Sequence, residues 1–174
     1  MLRLIQRVAD ATTRGDVVGR IVVKANSLTD EVLVHELVRA GQAGVQIDLV
    51  VRGACILPPG LPGLTDNIRV RSVVGRMLEH TRVFYFRWGE DEADEVLYLS
   101  SADWMNRNMT RRVEVAWPVR DPVLRQRVID ECLVPYLLDA RDAWRQLPDG
   151  RYERVPPTGH SAQQALMARH AADT

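Results

Sequence analysis

One histidine stands among residues that suit phosphate chemistry. His80 lies between Glu79 and Arg82, directly ahead of the β-prone run 83–86. A guanidinium beside an imidazole disfavours a metal cation, whereas it attracts the oxygens of a phosphate group. The spacing therefore predicts an anion site around His80. These residues alone leave one alternative open, which is a structural histidine paired with Glu79.

Further cationic and polar side chains follow predicted strands. Lys24 and Asn26 come at the end of one apolar run, and Arg52 comes at the end of the next. Ligands of open α/β sheets gather at the carboxyl ends of parallel strands, so these residues predict an anion site at one rim of a sheet. A later turn, 100–103, adds hydroxyl and carboxylate groups. Any single arginine could equally lie on a solvated face, as most charged side chains do.

The first half of the chain predicts a βαβ unit. Residues 19–24 and 45–51 are apolar runs bounded by turn residues, as buried strands are. Between them, Asp30 ends a stretch of helix-start residues, and the segment that continues to Gly41 carries aliphatic side chains at helical spacing. Strand, helix and strand within this span imply parallel pairing with a right-handed crossover.

The second half predicts more strands and two helices. Residues 82–88 and 95–100 predict an antiparallel pair, and Asp121 with Pro122 predicts a helix start. The other predicted elements are strands at 68–74 and 112–119, a helix that runs to about 138, and a final helix at 162–171. We therefore expect an α/β fold with a mixed β-sheet flanked by helices.

The composition is typical of an ordinary globular domain. The 174 residues suffice for one domain, with a core at about 19–140 and a helical tail at about 141–174. Because 23 basic residues balance 23 acidic ones, neither nucleic acid nor a membrane surface is favoured as a partner. Cys55 and Cys132 are too few for a disulfide framework or a zinc cluster, and no apolar run could span a membrane. We expect a cytoplasmic protein with no metal ligands in this chain.

Four long segments resemble one known family. Residues 23–30, 44–53, 59–86 and 98–115 are similar to the carboxy-terminal catalytic domain of the bacterial long-chain polyphosphate kinases. The likeness covers most of the chain, and it implies that the fold is a phospholipase D-like half. His80-Thr81-Arg82 with the turn 100–103 is similar to the half-site of that superfamily, although Arg82 replaces its lysine and an expected aspartate is missing.

The resemblance also implies an activity. That family reversibly transfers the terminal phosphate of ATP to inorganic polyphosphate, through a phosphohistidine and with Mg²⁺. Arg52 and His80 would contact the nucleotide phosphates, with His80 as the catalytic residue. The phosphorylated histidine and the metal-associated residues belong to upstream domains with no counterpart here, so the chain alone is expected to be inactive. Its expected partners are ATP or ADP, polyphosphate, those upstream domains and a further copy of the chain.

Other residues are candidates for binding or support. The set expected to bind ATP or phosphate comprises Arg52, His80, Lys24, Asn26, Arg82, Ser101 and Asp103. The set expected along a polyphosphate path comprises Arg69, Arg71, Arg107 and Arg111. For Arg111 and its neighbour Arg112, a structural pairing with Glu114 is an equal alternative.

Two alternative functions stay open from the sequence. One is a phosphate- or polyphosphate-binding module without turnover, since a half site lacks the covalent nucleophile. The other is a homodimeric phospholipase D-like phosphodiesterase in which two His80 side chains meet across a two-fold axis. The missing lysine argues against the dimeric enzyme.

Overall fold

A mixed β-sheet organises the protein, and a computed structural model describes residues 1–15, 17–157 and 159–171. The sheet has eight strands in the order β6-β5-β4-β1-β2-β3-β7-β8. The strands are β1 (Arg20–Ala25), β2 (Gln46–Val51), β3 (Ile68–Val73), β4 (Val83–Arg87), β5 (Glu95–Ser100), β6 (Ala116–Pro118), β7 (Ala143–Gln146) and β8 (Tyr152–Arg154). The prediction of a mixed α/β sheet is confirmed.

The parallel strands occupy the middle of the sheet. β1 pairs in parallel with β2, and β2 pairs in parallel with β3. Antiparallel strands continue the sheet on both sides, since β4 pairs with β1 and β7 pairs with β3. The carboxyl ends of β1, β2 and β3 therefore lie along one rim, together with the start of β4 and the end of β5.

Two helices cover one face of the sheet. They are α1 (Leu2–Arg14) and α2 (Glu31–Gln42). The carboxylate of Asp30 caps α2 by accepting a hydrogen bond from the backbone N–H of Leu33 at 3.0 Å. Ile5 and Val8 of α1 are fully buried against aliphatic residues of the central strands and Phe86 of β4. This face holds the largest cluster of buried side chains in the described chain.

A second helical layer covers the opposite face. It consists of α4 (Pro122–Val128), a π-helical turn (Ile129–Leu133) and α5 (Val134–Leu138), which follow one another without a break, and the final helix α6 (Ala162–Ala171). Both the helix start at Asp121 and the final helix were predicted correctly. No helix in the described part of the chain is both long and apolar enough to cross a bilayer.

The C-terminal segment is not a purely helical tail, which corrects the prediction for residues 141–174. Its first part forms the antiparallel hairpin β7–β8, which extends the sheet beyond β3. Ala143 of β7 and Ala162 of α6 are fully buried beside Val73 and Tyr136. The hairpin is therefore part of the core. Residues 158 and 172–174 of the predicted tail lie outside the described residues.

The strand predicted at 112–119 is also shorter than expected. Only Ala116–Pro118 pair with β5, and a short helix, α3 (Asn106–Thr110), precedes them. Val113 and Val115 are exposed. The carbonyl of Val115 accepts from the backbone N–H of Ser101 at 3.0 Å, so the chain meets the end of β5 only from this residue onward.

Asp139 joins the hairpin to the last helix. Its side chain is 1% exposed and accepts hydrogen bonds from the backbone N–H groups of Arg141 at 3.0 Å, Asp142 at 2.7 Å and Ala162 at 2.7 Å. The N–H of Arg141 also donates to the carbonyl of His160 at 3.1 Å, whereas those of Asp142 and Ala162 have Asp139 as their acceptor. Two buried donors therefore depend on one carboxylate.

We predict that Asp139→Ala lowers the free energy of unfolding by about 3 kcal/mol, because it leaves buried N–H groups without acceptors. Urea denaturation followed by circular dichroism measures this. Asp149→Ala is the control, since Asp149 caps an exposed turn with Arg151. Equal losses in the two variants would contradict the role of Asp139.

Candidate phosphate-binding site at the carboxyl rim of the sheet

The carboxyl rim brings together residues that are far apart in sequence. Ala25 pairs with Val51, and Lys24 pairs with Val83. The residues that follow β1 and β2, and those that precede β4, are consequently neighbours. They include Asn26, Arg52, His80 and Arg82.

Asp103 is the centre of this rim. Its carboxylate accepts a two-pronged pair of hydrogen bonds from Arg82, at 3.0 Å from Nε and 2.9 Å from the terminal nitrogen. It also accepts from the backbone N–H groups of Asn26 at 2.7 Å and Ser27 at 3.3 Å. Burial alone would raise the pKa of Asp103, but these hydrogen bonds and the Arg82 charge hold it below its ordinary value. The carboxylate is therefore ionised and structural.

Arg52 is fixed by one edge of its guanidinium. Its Nε donates to the side-chain oxygen of Asn26 at 2.9 Å, while Ser72 Oγ donates to the Arg52 carbonyl at 2.8 Å. Among the described residues, the two terminal nitrogens of Arg52 have no protein partner. Such a half-anchored guanidinium is oriented to bind an anion with its free edge.

His80 presents an exposed imidazole on a constrained backbone. A terminal nitrogen of Arg82 donates to the His80 carbonyl at 3.0 Å, whereas the ring makes no hydrogen bond with any described residue. The structural alternative does not apply, because Glu79 is paired with Lys24 instead. Hydrogen bonds thus connect Arg52 to His80 through Asn26, Asp103 and Arg82.

Lys24 supports the loop that carries His80. Its side chain is 3% exposed. The ammonium group donates to Glu79 at 2.6 Å and to the Thr81 carbonyl at 3.3 Å, and it lies 4.1 Å from the centre of the Tyr136 ring. Burial lowers the pKa of Lys24. The structure does not support the expectation that Lys24 contacts phosphate directly, because protein groups enclose its ammonium.

Glu79 completes this support. Its other oxygen accepts from the backbone N–H of Thr81 at 2.7 Å. Burial alone would raise the pKa of Glu79, but Lys24 and Thr81 hold it below its ordinary value. The sequence suggests Glu79 only as a partner of His80. Its pairing with Lys24 has no local signal, because the two residues are 55 positions apart.

Ser101 is exposed at the same rim but is already engaged. Its hydroxyl bonds to the carboxylate of Glu114 and accepts from the backbone N–H of Val115 at 3.0 Å. Asn108 donates to the other Glu114 oxygen at 2.6 Å. These contacts fix the 100–103 turn. Glu114 thus binds neutral hydrogen-bond donors, in place of the ion pair with Arg111 or Arg112 that the sequence left open as an alternative.

The four arginines expected along a polyphosphate path fall into two separate pairs. Arg69 and Arg71 lie on β3, whereas Arg107 and Arg111 lie in or beside α3, which follows β5. Strands β2, β1 and β4 lie between β3 and β5. The terminal nitrogen of Arg71 donates to the carbonyls of Tyr136 at 3.2 Å and Asp139 at 3.3 Å, which anchors the end of α5. The structure does not bring the four side chains together.

The described residues contain no group of three or more histidine, cysteine, aspartate or glutamate side chains that could hold a metal ion. The carboxylates of the rim are instead paired with cations of the protein, as Asp103 and Glu79 are. The rim thus does not fit a Mg²⁺ site made by this chain alone.

Comparison with known proteins identifies the family. Residues 1–166 match the family described as polyphosphate kinase C-terminal domain 2, and the chain belongs to that family.

Particular relatives extend this result. The polyphosphate kinase of Pseudomonas putida is 49% identical over 168 residues, covering 97% of this chain and 22% of that protein. The polyphosphate kinase of Pseudomonas aeruginosa is 48% identical over 176 residues, covering 99% of this chain and 25% of that protein. The crystal structure of polyphosphate kinase from Porphyromonas gingivalis matches with a TM-score of 0.89 and 37% identity, covering 98% of this chain and 26% of that one. The chain spans about a quarter of the length of these relatives.

We predict that Asp103→Asn makes stability less sensitive to acid. A carboxyl group whose pKa is lowered by folding stabilises the protein above its unfolded pKa, and this contribution disappears as the pH falls through the folded pKa. The wild type should therefore exceed the variant in unfolding free energy at pH 7, and the gap should narrow below about pH 4. Urea titrations from pH 3 to 7 measure this, with Asp10→Asn as the exposed control. A gap that stays constant with pH would contradict the prediction.

We also predict that Lys24→Met lowers the free energy of unfolding by about 2 kcal/mol, because it leaves the Glu79 carboxylate partly buried and unpaired. The double variant Lys24→Met/Glu79→Gln should recover part of the loss, since the unpaired charge is gone. Arg39→Met is the control, because it breaks an exposed pair with Glu36 that is worth less than about 1 kcal/mol. Thermal and urea denaturation measure the stability of all three variants. A double variant that is no more stable than Lys24→Met would contradict the pairing of Lys24 with Glu79.

Proposed function

We propose that this chain is the C-terminal domain of an ATP:polyphosphate phosphotransferase and supplies part of its active site. The observation that carries the proposal is the hydrogen-bond path that fixes Arg52 and His80 on one rim. The terminal nitrogens of Arg52 and the imidazole ring of His80 have no hydrogen-bond partner among the described residues, so they are free to bind a ligand. Relatives that match nearly the whole chain at about half identity are named polyphosphate kinase, which supports the same assignment.

Arg52 and His80 have different roles in this proposal. The free edge of Arg52 holds phosphate oxygens of ATP, as a guanidinium fork does. The His80 imidazole lies beside the transferring phosphoryl group, where it donates a hydrogen bond or moves a proton as general acid or base.

The remaining rim residues position these two groups. Arg82, held by Asp103, binds the backbone carbonyl of His80. The side chain of Asn26 orients the guanidinium of Arg52. Lys24 with Glu79 sets the path of the loop. Preorganised charge of this kind needs no rearrangement when charge develops on the phosphoryl group.

The rest of the reaction requires parts that this chain does not span. Since the chain corresponds to about a quarter of its relatives, we propose that the phosphorylated histidine and the groups that accompany Mg²⁺ lie in the other three quarters. When bound, Mg²⁺ neutralises phosphate charge, and we assign it no ligand here. We also propose that the protein works in the cytoplasm, with ATP or ADP, polyphosphate and those upstream domains as its partners.

We predict that Arg52→Ala weakens ATP binding to the chain by about 1.5 to 3 kcal/mol, the range for a hydrogen bond to a charged group. Isothermal titration calorimetry measures the change. Arg151→Ala is the matched control, because it removes an exposed arginine from the distant β7–β8 turn. Unchanged ATP affinity in Arg52→Ala would remove Arg52 from the site.

A chimera tests the catalytic role of His80. The chain alone should make negligible polyphosphate from ATP. A chimera, in which this chain replaces the matching quarter of the Pseudomonas putida enzyme, should synthesise polyphosphate. In that chimera, His80→Ala should abolish phosphotransfer, while His35→Ala, which removes an exposed imidazole on α2, should not. Robust synthesis by the chain alone, or full activity of His80→Ala, would refute the proposal. Binding without turnover in a folded chimera would favour a binding module.

A further inference from the structure

The loop that carries His80 runs from the end of β3 to the start of β4, over residues 74–82. It forms no helix or strand, and Met77 and Leu78 in its middle are more than half exposed. Exposed backbone of this kind opens easily, so hydrogen bonds decide where the loop lies. Its second half is held by the rim contacts described above.

A glutamine of the last helix holds the first half of this loop. The side-chain amide of Gln163 accepts a hydrogen bond from the backbone N–H of Met77 at 2.8 Å, and it donates one to the carbonyl of the same residue at 2.8 Å. One amide thus pairs with both backbone polar groups of Met77, as the opposite residue of an antiparallel strand does. No other hydrogen bond joins the backbone of residues 75–78 to a described residue.

The contact between loop and helix is also closely packed. Gln163 is buried although it is polar, and Gly75 lies directly against its side-chain amide. A methyl group on Gly75 would overlap the oxygen, carbon and nitrogen atoms of that amide. Since Gly75 does not have a positive φ, the contact requires its small size rather than its backbone freedom.

The position of Gln163 is set relative to the start of the loop. Asp142, just before β7, makes contacts on both sides. Its carboxylate accepts from the hydroxyl of Ser161, which directly precedes α6, at 2.8 Å. Its carbonyl accepts from the backbone N–H of Val74 at 3.0 Å. The loop and the helix that holds it are therefore fixed to the same residue.

We propose that Gln163 is a positioning residue for His80, on which it acts through the backbone of Met77, three residues away. The inference rests on the function proposed above, since it concerns the same imidazole. It gives the C-terminal helix a part in the proposed reaction. A misplacement of about 1 Å can lower the rate of an enzyme about a hundredfold, so a loop that is held at only one end is costly to catalysis.

Nuclear magnetic resonance of the whole chain tests the contact directly. In Gln163→Ala, the imidazole signals of His80 should shift, and the amide hydrogen of Met77 should exchange with solvent about tenfold faster or more. Gln164→Ala is the matched control, because it removes an exposed glutamine of the same helix that binds Arg141 instead. In that control, the signals of His80 and the exchange rate of Met77 should equal those of the wild type.

The chimera with the Pseudomonas putida enzyme tests the consequence for catalysis. Gln163→Ala should lower kcat about tenfold or more, whereas KM for ATP should stay within about twofold, because the contacts that fix Arg52 do not involve this helix. Gln164→Ala should leave both constants within about twofold of the wild type.

Gly75→Ala reaches the same contact from the loop and keeps the test valid if Gln163→Ala folds poorly. Its methyl group should displace the Gln163 amide and lower kcat in the same way. The double variant Gly75→Ala/Gln163→Ala should lose no more activity than Gln163→Ala alone, because the second change has no contact left to break. Losses that multiply would show that the two residues act separately, which contradicts the inference.

Three further results would overturn the inference. The first is a Gln163→Ala chimera with the kcat of the wild type. The second is an equal loss of kcat in Gln164→Ala. The third is an unchanged set of His80 signals in the Gln163→Ala chain. If the wild-type chimera makes no polyphosphate, the proposed function fails, whereas the resonance comparison still decides whether Gln163 positions His80.

Discussion

The two-pronged bond between Arg82 and Asp103 is the interaction on which the rim depends. It joins the start of β4 to the turn after β5, and Asp103 also binds the backbone that follows β1. Three strand ends are thereby fixed by one carboxylate. Because both charged groups are mostly shielded from water and every oxygen of the carboxylate is used, the pair is stronger than a surface salt bridge. The Arg82–Asp103 pair thereby also fixes the positions of Arg52 and His80.

This arrangement assigns cations of the rim to two tasks. Lys24 and Arg82 form ion pairs with carboxylates of the protein and hold loops in place, so their charges are already neutralised. Arg52 is anchored by one nitrogen and keeps two for a ligand. A site for a highly charged substrate needs both cations that are paired with protein carboxylates and cations that are free to bind. Without the paired cations to fix the loops, the free arginines would repel one another in the absence of substrate.

The sequence predicted the features that depend on local pattern. Apolar runs predicted the central strands, and the Asp121-Pro122 pair predicted α4, because periodicity and capping are properties of neighbouring residues. It also predicted that Lys24, Asn26 and Arg52 share a rim, since parallel topology fixes where the carboxyl ends of strands meet. His80 was joined to Arg52 only through the family resemblance. The sequence did not predict the Lys24–Glu79 pair or the β7–β8 hairpin. It also placed Arg71 and Arg107 on one polyphosphate path, although the structure separates them. Those depend on contacts between distant segments, which no window of sequence reveals.

The hairpin also affects where the domain can be cut. An expression boundary drawn at residue 140, after the last predicted core helix, would remove β7 and with it Ala143 and Ala162 from beneath Tyr136. β3 would become an edge strand with an unpaired row of backbone groups. Bare edges of this kind recruit other chains, so the shortened protein should precipitate or form mixed oligomers. Soluble versions of the domain must therefore extend through α6.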